Sequence, residues 1–443
     1  MFRRVDVRGV CEGLGDALPA PQREADLPVA LVREVLAAVR ADGERAVRGA
    51  TARFDGVDID SVRVDPADVA AAVERVPGEL RDALLVAADA VADFHRHALA
   101  ATASPATYGR SEGMGTVRVD TMFRPVDRAG IYVPGGRAAY PSSVIHAAGV
   151  AKVAGVGEVA LCSPPGPDGR IPDVTLAAAA AVGVDEVYRV GGVQAIGMLA
   201  YGTESCRSVD VIAGPGNVYV ATAQREVAGS GLVGVPSAFA GPSEIVVIAD
   251  ETAPVDLIAV DLILQAEHGP LGQSWVVTWS PDVADAVVAE VEAQVAVAPR
   301  RMDIEATFAS GGFVVVCDGP EQATDVANVI AAEHLEVMTA DPAALVARIR
   351  HAGAIFCGSW TPSSVGDYLA GPSHVLPTAR TARFGSALGV RDFLKEVHVV
   401  ELDQAALDAV APTVEILAKA EGLIAHAESV ARRARRPQGR PDR

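Results

Sequence analysis

Gln265 and His268 stand three residues apart near the end of an apolar helical run, so their side chains share a face. Glu333 and His334 are adjacent, just ahead of an apolar strand. Asp367 and His374 flank the segment GDYLAGPSH, and Glu421 and His426 lie five apart in a helical tail. Imidazole and carboxylate together suit Zn²⁺ or a similar metal. An acid beside an imidazole suits proton transfer. A lone histidine of this kind is more often structural. Four of them, each with a polar neighbour in an apolar segment, raise the case for a site without showing that they converge. The other histidines read differently: His95 and His97 as solvated on a polar helix face, His146, His351 and His398 as incidental. There is no HExxH and no CxxC spacing.

Three further segments, VPGG, VGGVQ and AGPGN, each end a β-branched run in a glycine turn. In open parallel sheets ligands bind at the carboxyl ends of strands, and a following helix offers free N–H groups to a phosphate. Neither GxGxxG nor GxxxxGK[ST] is present, so a nucleotide site and a purely structural role stand equally open here.

The elements that would position these groups form an α/β pattern. Residues 27–100 read as helices, with apolar residues at helical spacing from Leu27 to Ala41 and from Glu79 to His97, behind a short arm over 1–26. From 129 onward, short β-branched runs alternate with Ala-rich helical stretches, which indicates βαβ units and a parallel sheet. The pattern restarts at 244, giving a second α/β unit that the early helices are expected to complete, and 404–434 reads as amphipathic helices.

Half of the 443 residues are hydrophobic, enough for sizeable cores. The net charge of −19 repels phosphate backbones and anionic membranes, which argues against nucleic acid as a partner. The basic run from Arg432 to Arg443 reads as a solvated tail. No run reaches the ~18 apolar residues of a membrane helix. The start MFRRVDVRGV lacks the apolar stretch of a signal peptide, and five scattered cysteines fit a reducing cytosol, so a cytoplasmic location is expected.

The segments GIYVPGG, VGGVQAIG, GPGNVYV, AGPSEIVVIAD, QAEHGP, AAEHLEV, GDYLAGPSHVLPT and GLIAHAESV resemble, in order and spacing, those of histidinol dehydrogenases, over about residues 27 to 432. The resemblance implies two incomplete Rossmann-like parallel-sheet domains with helical N- and C-terminal arms for dimerisation. On that reading 1–26 is an N-terminal arm, and 27–128 with 244–380 form a first α/β domain holding zinc and catalytic residues. Residues 129–243 form a second α/β domain on the NAD side, and 381–443 a dimerisation tail.

The resemblance also implies roles. Gln265, His268, Asp367 and His426 correspond to the ligands of one Zn²⁺ per subunit, and Glu333 and His334 to the acid–base pair. Ser243, His374 and Glu421 correspond to further substrate contacts, alongside the metal ligands and His334; Tyr132, Gln194 and Asn217 correspond to NAD⁺ contacts. Glu421 and His426 would complete the site of the partner subunit in a homodimer. The implied reaction takes L-histidinol through bound L-histidinaldehyde to L-histidine with two NAD⁺. His334 would serve as base near its ordinary pKa of ~6.5, and Glu333 would activate water. The chain departs from the family pattern at Ala147, Val150, Ala332, Gly385 and Glu396, and by one extra residue before Gly241. The alternatives are a paralogous dehydrogenase acting on another alcohol and a binding protein that kept the fold.

Overall fold

A computed structural model describes residues 2–19, 28–102, 106–110, 115–135, 138–236, 241, 243–267, 269 and 272–435. It divides into two units, 1–97 with 126–393, and 98–125 with 394–443.

The first unit holds two parallel sheets. In the larger, β1 (Arg3–Asp6), β8 (Glu244–Ala249), β9 (Gln273–Thr278), β10 (Gly312–Val316), β11 (His334–Met338) and β12 (Ala354–Cys357) run in the order β1-β10-β9-β8-β11-β12. In the smaller, β4 (Arg128–Tyr132), β5 (Glu158–Ser163), β6 (Glu186–Arg189) and β7 (Val211–Ala213) run in the order β6-β5-β4-β7. β8 to β11 are buried along their whole length, which is why EIVVIA and GFVVV read as apolar runs rather than as polar–apolar alternation. The α/β reading of the chain is thus met. The central helix of the larger sheet, Val255–Ala266, is apolar almost all round and is buried accordingly.

Two placements differ from the sequence reading. Helices Val29–Asp42 and Glu44–Phe54 do not complete the larger sheet. Val32, Val35, Leu36, Val39 and Val47 share one core with Tyr132, Ile196, Leu199 and Val220 of the smaller sheet and its helices. Helical spacing marks which face is buried but not which sheet covers it. The opening segment is not wholly an arm either. Arg3–Asp6 adds a parallel edge strand beside β10, with Arg3 opposite Phe313. Residues 20–27 lie outside the described residues.

The second unit contains an antiparallel sheet that the sequence reading does not contain. β2 (Ala106–Arg110), β3 (Val117–Pro125) and β13 (Leu394–Leu402) run in the order β13-β3-β2. β13 pairs with β3 over nine residues, from Leu394↔Pro125 to Leu402↔Val117. Asp403 then caps helix Gln404–Ala420 by accepting from Ala406 N–H, and helix Ile424–Ala434 packs against it. Among the described residues, no helix is long and apolar enough to cross a membrane.

Candidate active site

The polar cluster of the larger sheet forms at the amino ends of its strands. Helix Pro320–Ile330 ends at Ala331, whose φ of 51° is rare for a residue with a Cβ. That left-handed step turns the chain so that Glu333 and His334 meet the start of β11, beside Glu244 at the start of β8. Gly353 opens β12, and a Cβ there would lie 2.5 Å from the Glu333 carbonyl oxygen. Any side chain at 353 would therefore displace the acid–base pair.

Glu333, His334 and Glu244 are all buried, at 7%, 6% and 7% exposure. Glu333 Oε2 accepts the Glu244 N–H at 3.0 Å and lies 3.5 Å from His334 Nδ1. The Ser243 hydroxyl hydrogen-bonds the same carboxyl. His334 Nδ1 stands 3.2 Å from the Glu244 carbonyl oxygen, which can only accept, so the proton sits on Nδ1 and Nε2 is left facing Asp367 at 3.7 Å. Burial pushes Glu333 up to about 7, against the pull of His334. It also pushes Glu244 up to about 8, helped by the neighbouring Glu333 charge. Burial alone would drive the imidazole down, but the Glu333 and Asp367 carboxylates outweigh it and hold His334 at about 9. His334 is therefore not near its ordinary value.

Gln265 ends the helix that returns from β8 to β9, which brings it to the same edge of the sheet. It is 1% exposed, yet neither its amide oxygen nor its amide nitrogen has a partner among the described residues. A fully buried amide left this way costs about 1–3 kcal/mol, so the position suits a group that a ligand completes. His268 lies outside the described residues. Among the described residues no three His, Cys, Asp or Glu side chains converge as a metal cage. The donor set is thus represented in the first unit by Gln265 and Asp367.

His374 joins the cluster to the smaller sheet. Its Nδ1 donates to the Asp367 carbonyl at 2.9 Å, and its Nε2 pairs with Ser143 Oγ at 3.2 Å. Its ring stacks on His146, with centroids 4.4 Å apart and planes 6° from parallel. His146 sits in a π-helical turn, Ile145–Gly149, of the kind common at functional sites. It is fully buried, and burial followed by the neighbouring His374 lowers its pKa to about 3. The reading of His146 as incidental is therefore corrected. Ala147 and Val150, two of the family departures, flank it, and the Val150 N–H donates to the Ala147 carbonyl, a bond that proline could not make.

On the smaller sheet, Tyr132, Gln194 and Asn217 all lie at the carboxyl edge, as the glycine turns predict. Each has a protein partner. The Tyr132 hydroxyl accepts the Gly192 N–H at 3.2 Å, Gln194 Nε2 donates to Asp55 at 3.3 Å, and Asn217 Oδ1 caps its helix by accepting from Tyr219 and Val220. Helix Gly192–Tyr201 has no side-chain cap from its N-cap residue, and the first of its N–H groups, that of Gly192, is the one the Tyr132 hydroxyl accepts. Glu421 and His426 are exposed on the second unit.

The sequence reading missed three buried acids that stand within strands or a helix. Glu244 stands at the head of EIVVIA, Asp261 within VDLIAVDLILQA and Glu336 within HLEVM. A charge inside an apolar run is the signal that could have found them. Burial, then the Asp261 charge, push Glu336 up to about 8.

A parallel α/β protein with a buried acid–imidazole pair facing a carboxylate, and an unpartnered buried amide at the same edge of the sheet, has the equipment for proton transfer at a small polar substrate. Comparison with known proteins makes the class specific. The family model for histidinol dehydrogenase matches residues 20–434, and the chain belongs to that family. A histidinol dehydrogenase of Parasynechococcus marenigrum is 47% identical over 399 residues, 90% of this chain and 89% of the relative. One of Thermosynechococcus vestitus is 44% identical, covering 96% of each chain. The crystal structure of histidinol dehydrogenase from Elizabethkingia anophelis superimposes with a TM-score of 0.91 at 30% identity, covering 98% of both chains.

Proposed function

We propose that this chain is an NAD-dependent oxidoreductase of histidine biosynthesis that oxidises L-histidinol to L-histidine through a bound aldehyde. The family match over residues 20–434 carries this reading, and the buried Glu333–His334 pair supplies the acid–base chemistry it needs. His334 in its neutral form takes the alcohol proton at Nε2, and the pKa of about 9 places that form on the alkaline side. The Nδ1–H bond to the Glu244 carbonyl fixes the tautomer that leaves this nitrogen able to do so. Glu333, anchored by Glu244 N–H and Ser243, takes a proton from the water that adds to the aldehyde. His334, once its first proton has passed to solvent, takes the hydroxyl proton of the hydrate. Burial of both groups keeps bulk water from the reacting carbon.

Gln265, His268, Asp367 and His426 would hold Zn²⁺, which would neutralise Asp367 and orient the amine and imidazole nitrogens of the substrate. The orphaned amide of Gln265 supports this assignment. NAD⁺ at the carboxyl edge of the smaller sheet, near Tyr132, Gln194 and Asn217, would accept a hydride in each of two steps. Ser243, His374 and Glu421 hold the substrate. Glu421 and His426 come from the partner in a homodimer, so each site is composite. We also assign the chain to the cytoplasm, on the strength of the biosynthetic role.

Two experiments test this. Purified zinc-loaded protein is given L-histidinol or other amino alcohols with NAD⁺, and absorbance of NADH is followed. Histidinol is expected to turn over fastest, with activity lost on chelation and restored by zinc; faster turnover of another amino alcohol would move the substrate. For the dimer, His426→Ala and Glu333→Gln proteins, each nearly inactive, are expected to regain activity on subunit exchange. No recovery after proven exchange would count against composite sites.

A further inference from the structure

Three polar residues of the first unit lie one structural repeat behind groups assigned above to the site. Asp261 precedes Gln265 by four residues on helix Val255–Ala266, so the two share a helix face. Glu336 follows His334 by two residues on β11, so the two point to the same side of the sheet. Ser363 precedes Asp367 by four residues on helix Ser363–Tyr368. All three are buried, at 5%, 1% and 0% exposure.

Glu336 links the other two. Glu336 Oε1 accepts the Ser363 N–H at 2.8 Å. Its Oε2 is buried and has no hydrogen-bond partner among the described residues, and the neighbouring Asp261 carboxyl raises the pKa of the group further. Two neighbouring carboxyl groups away from water cannot both be ionised, so one of them keeps its proton. Apolar residues of similar volume would pack this space at no electrostatic cost, so packing alone does not account for two acids.

We propose that the Asp261–Glu336 pair, with Ser363, is a positioning device that locks helix Val255–Ala266, β11 and helix Ser363–Tyr368 in the register that Gln265, His334 and Asp367 require. The inference rests on the reading of those three residues as metal and acid–base groups. Groups behind metal ligands commonly set affinity by 10–100-fold when removed.

The test uses the zinc-loaded enzyme and the rate of zinc release to a chromogenic chelator, with kcat and KM measured alongside. Glu336→Leu and Asp261→Ala are expected to release zinc about 10–100-fold faster and to lose kcat more than KM. Glu336→Gln, whose amide can donate to Asp261 and accept from Ser363, is expected to stay within about threefold of the parent enzyme. Zinc release unchanged in Glu336→Leu and Asp261→Ala would overturn the proposal. Should those two fail to fold, Glu336→Gln decides alone, and zinc loss as fast as in Gln265→Ala would overturn it. If Gln265→Ala itself retains zinc like the parent, the assignment of the metal site fails rather than the brace.

Discussion

The two parallel sheets of the first unit place their polar groups at opposite ends and satisfy them differently. The smaller sheet has its candidate residues at the carboxyl edge, and Tyr132, Gln194 and Asn217 each bond to the protein itself. The larger sheet gathers Glu244, Gln265, Glu333 and His334 at the amino edge, and both Gln265 amide atoms and His334 Nε2 lack hydrogen-bond partners among the described residues. A polar group that is satisfied internally supports the fold with or without ligand. One that is buried and unsatisfied lowers stability until something binds it. The first edge is satisfied before any ligand arrives; the second is not.

The largest effect that would break this contrast lies at His334. His334→Asn is expected to lower kcat by about 10²–10⁴-fold with little change in melting temperature, as checked by steady-state kinetics and circular dichroism. A fall of less than about tenfold would remove the imidazole from the chemistry.

A pH effect on stability comes next, where the two regions meet. His146 has its pKa lowered to about 3 when folded, against an ordinary ~6.5 when unfolded. Between those values the unfolded chain binds the extra proton, so stability is complete above ~6.5 and falls as pH drops towards 3. Urea titrations of the parent and His146→Gln should diverge in this window, the parent losing of order a few kcal/mol more. Parallel pH profiles would contradict the burial of a neutral imidazole.

Opposite signs are expected from one substitution at each edge. Gln265→Leu removes the unsatisfied amide and should raise the melting temperature of the metal-free protein while weakening zinc retention. Tyr132→Phe leaves the Gly192 N–H unpaired and should destabilise by about 1–3 kcal/mol. Equal signs in thermal melts would dissolve the distinction between the satisfied and the unsatisfied edge. The smallest effect is that of Asn217→Ala, which removes a helix cap and should cost about 1 kcal/mol in denaturant midpoints.

How far the sequence discloses all this depends on the kind of signal. Buried parallel strands such as EIVVIA and FVVV announce themselves because both faces are covered. β3 and β13 do not, because VRVDTMFRP is only partly buried, LKEVHVVEL is exposed beyond its first residue, and the two pair across some 270 positions of chain. His95 was expected to be solvated, yet it is 2% exposed. It follows Leu84 and Val91 on the buried face of helix Gly78–Thr102, a spacing of 7 and then 4 that was there to read. The pair Glu333–His334 is legible as neighbours in sequence. The stacking of His146 on His374, 228 positions away, depends on tertiary packing that no local pattern encodes. Glycine turns locate the carboxyl edge of the smaller sheet correctly, but the same rule gives no hint of an acid–base cluster at the amino edge of the larger one.

The central claim is that one buried acid–imidazole pair serves both oxidations of a single alcohol carbon. Counting NADH formed per histidine released, with zinc-loaded protein, L-histidinol and excess NAD⁺, tests it most directly. The account predicts two NADH per histidine and no free aldehyde. One NADH per substrate consumed, with aldehyde accumulating in solution, would contradict it.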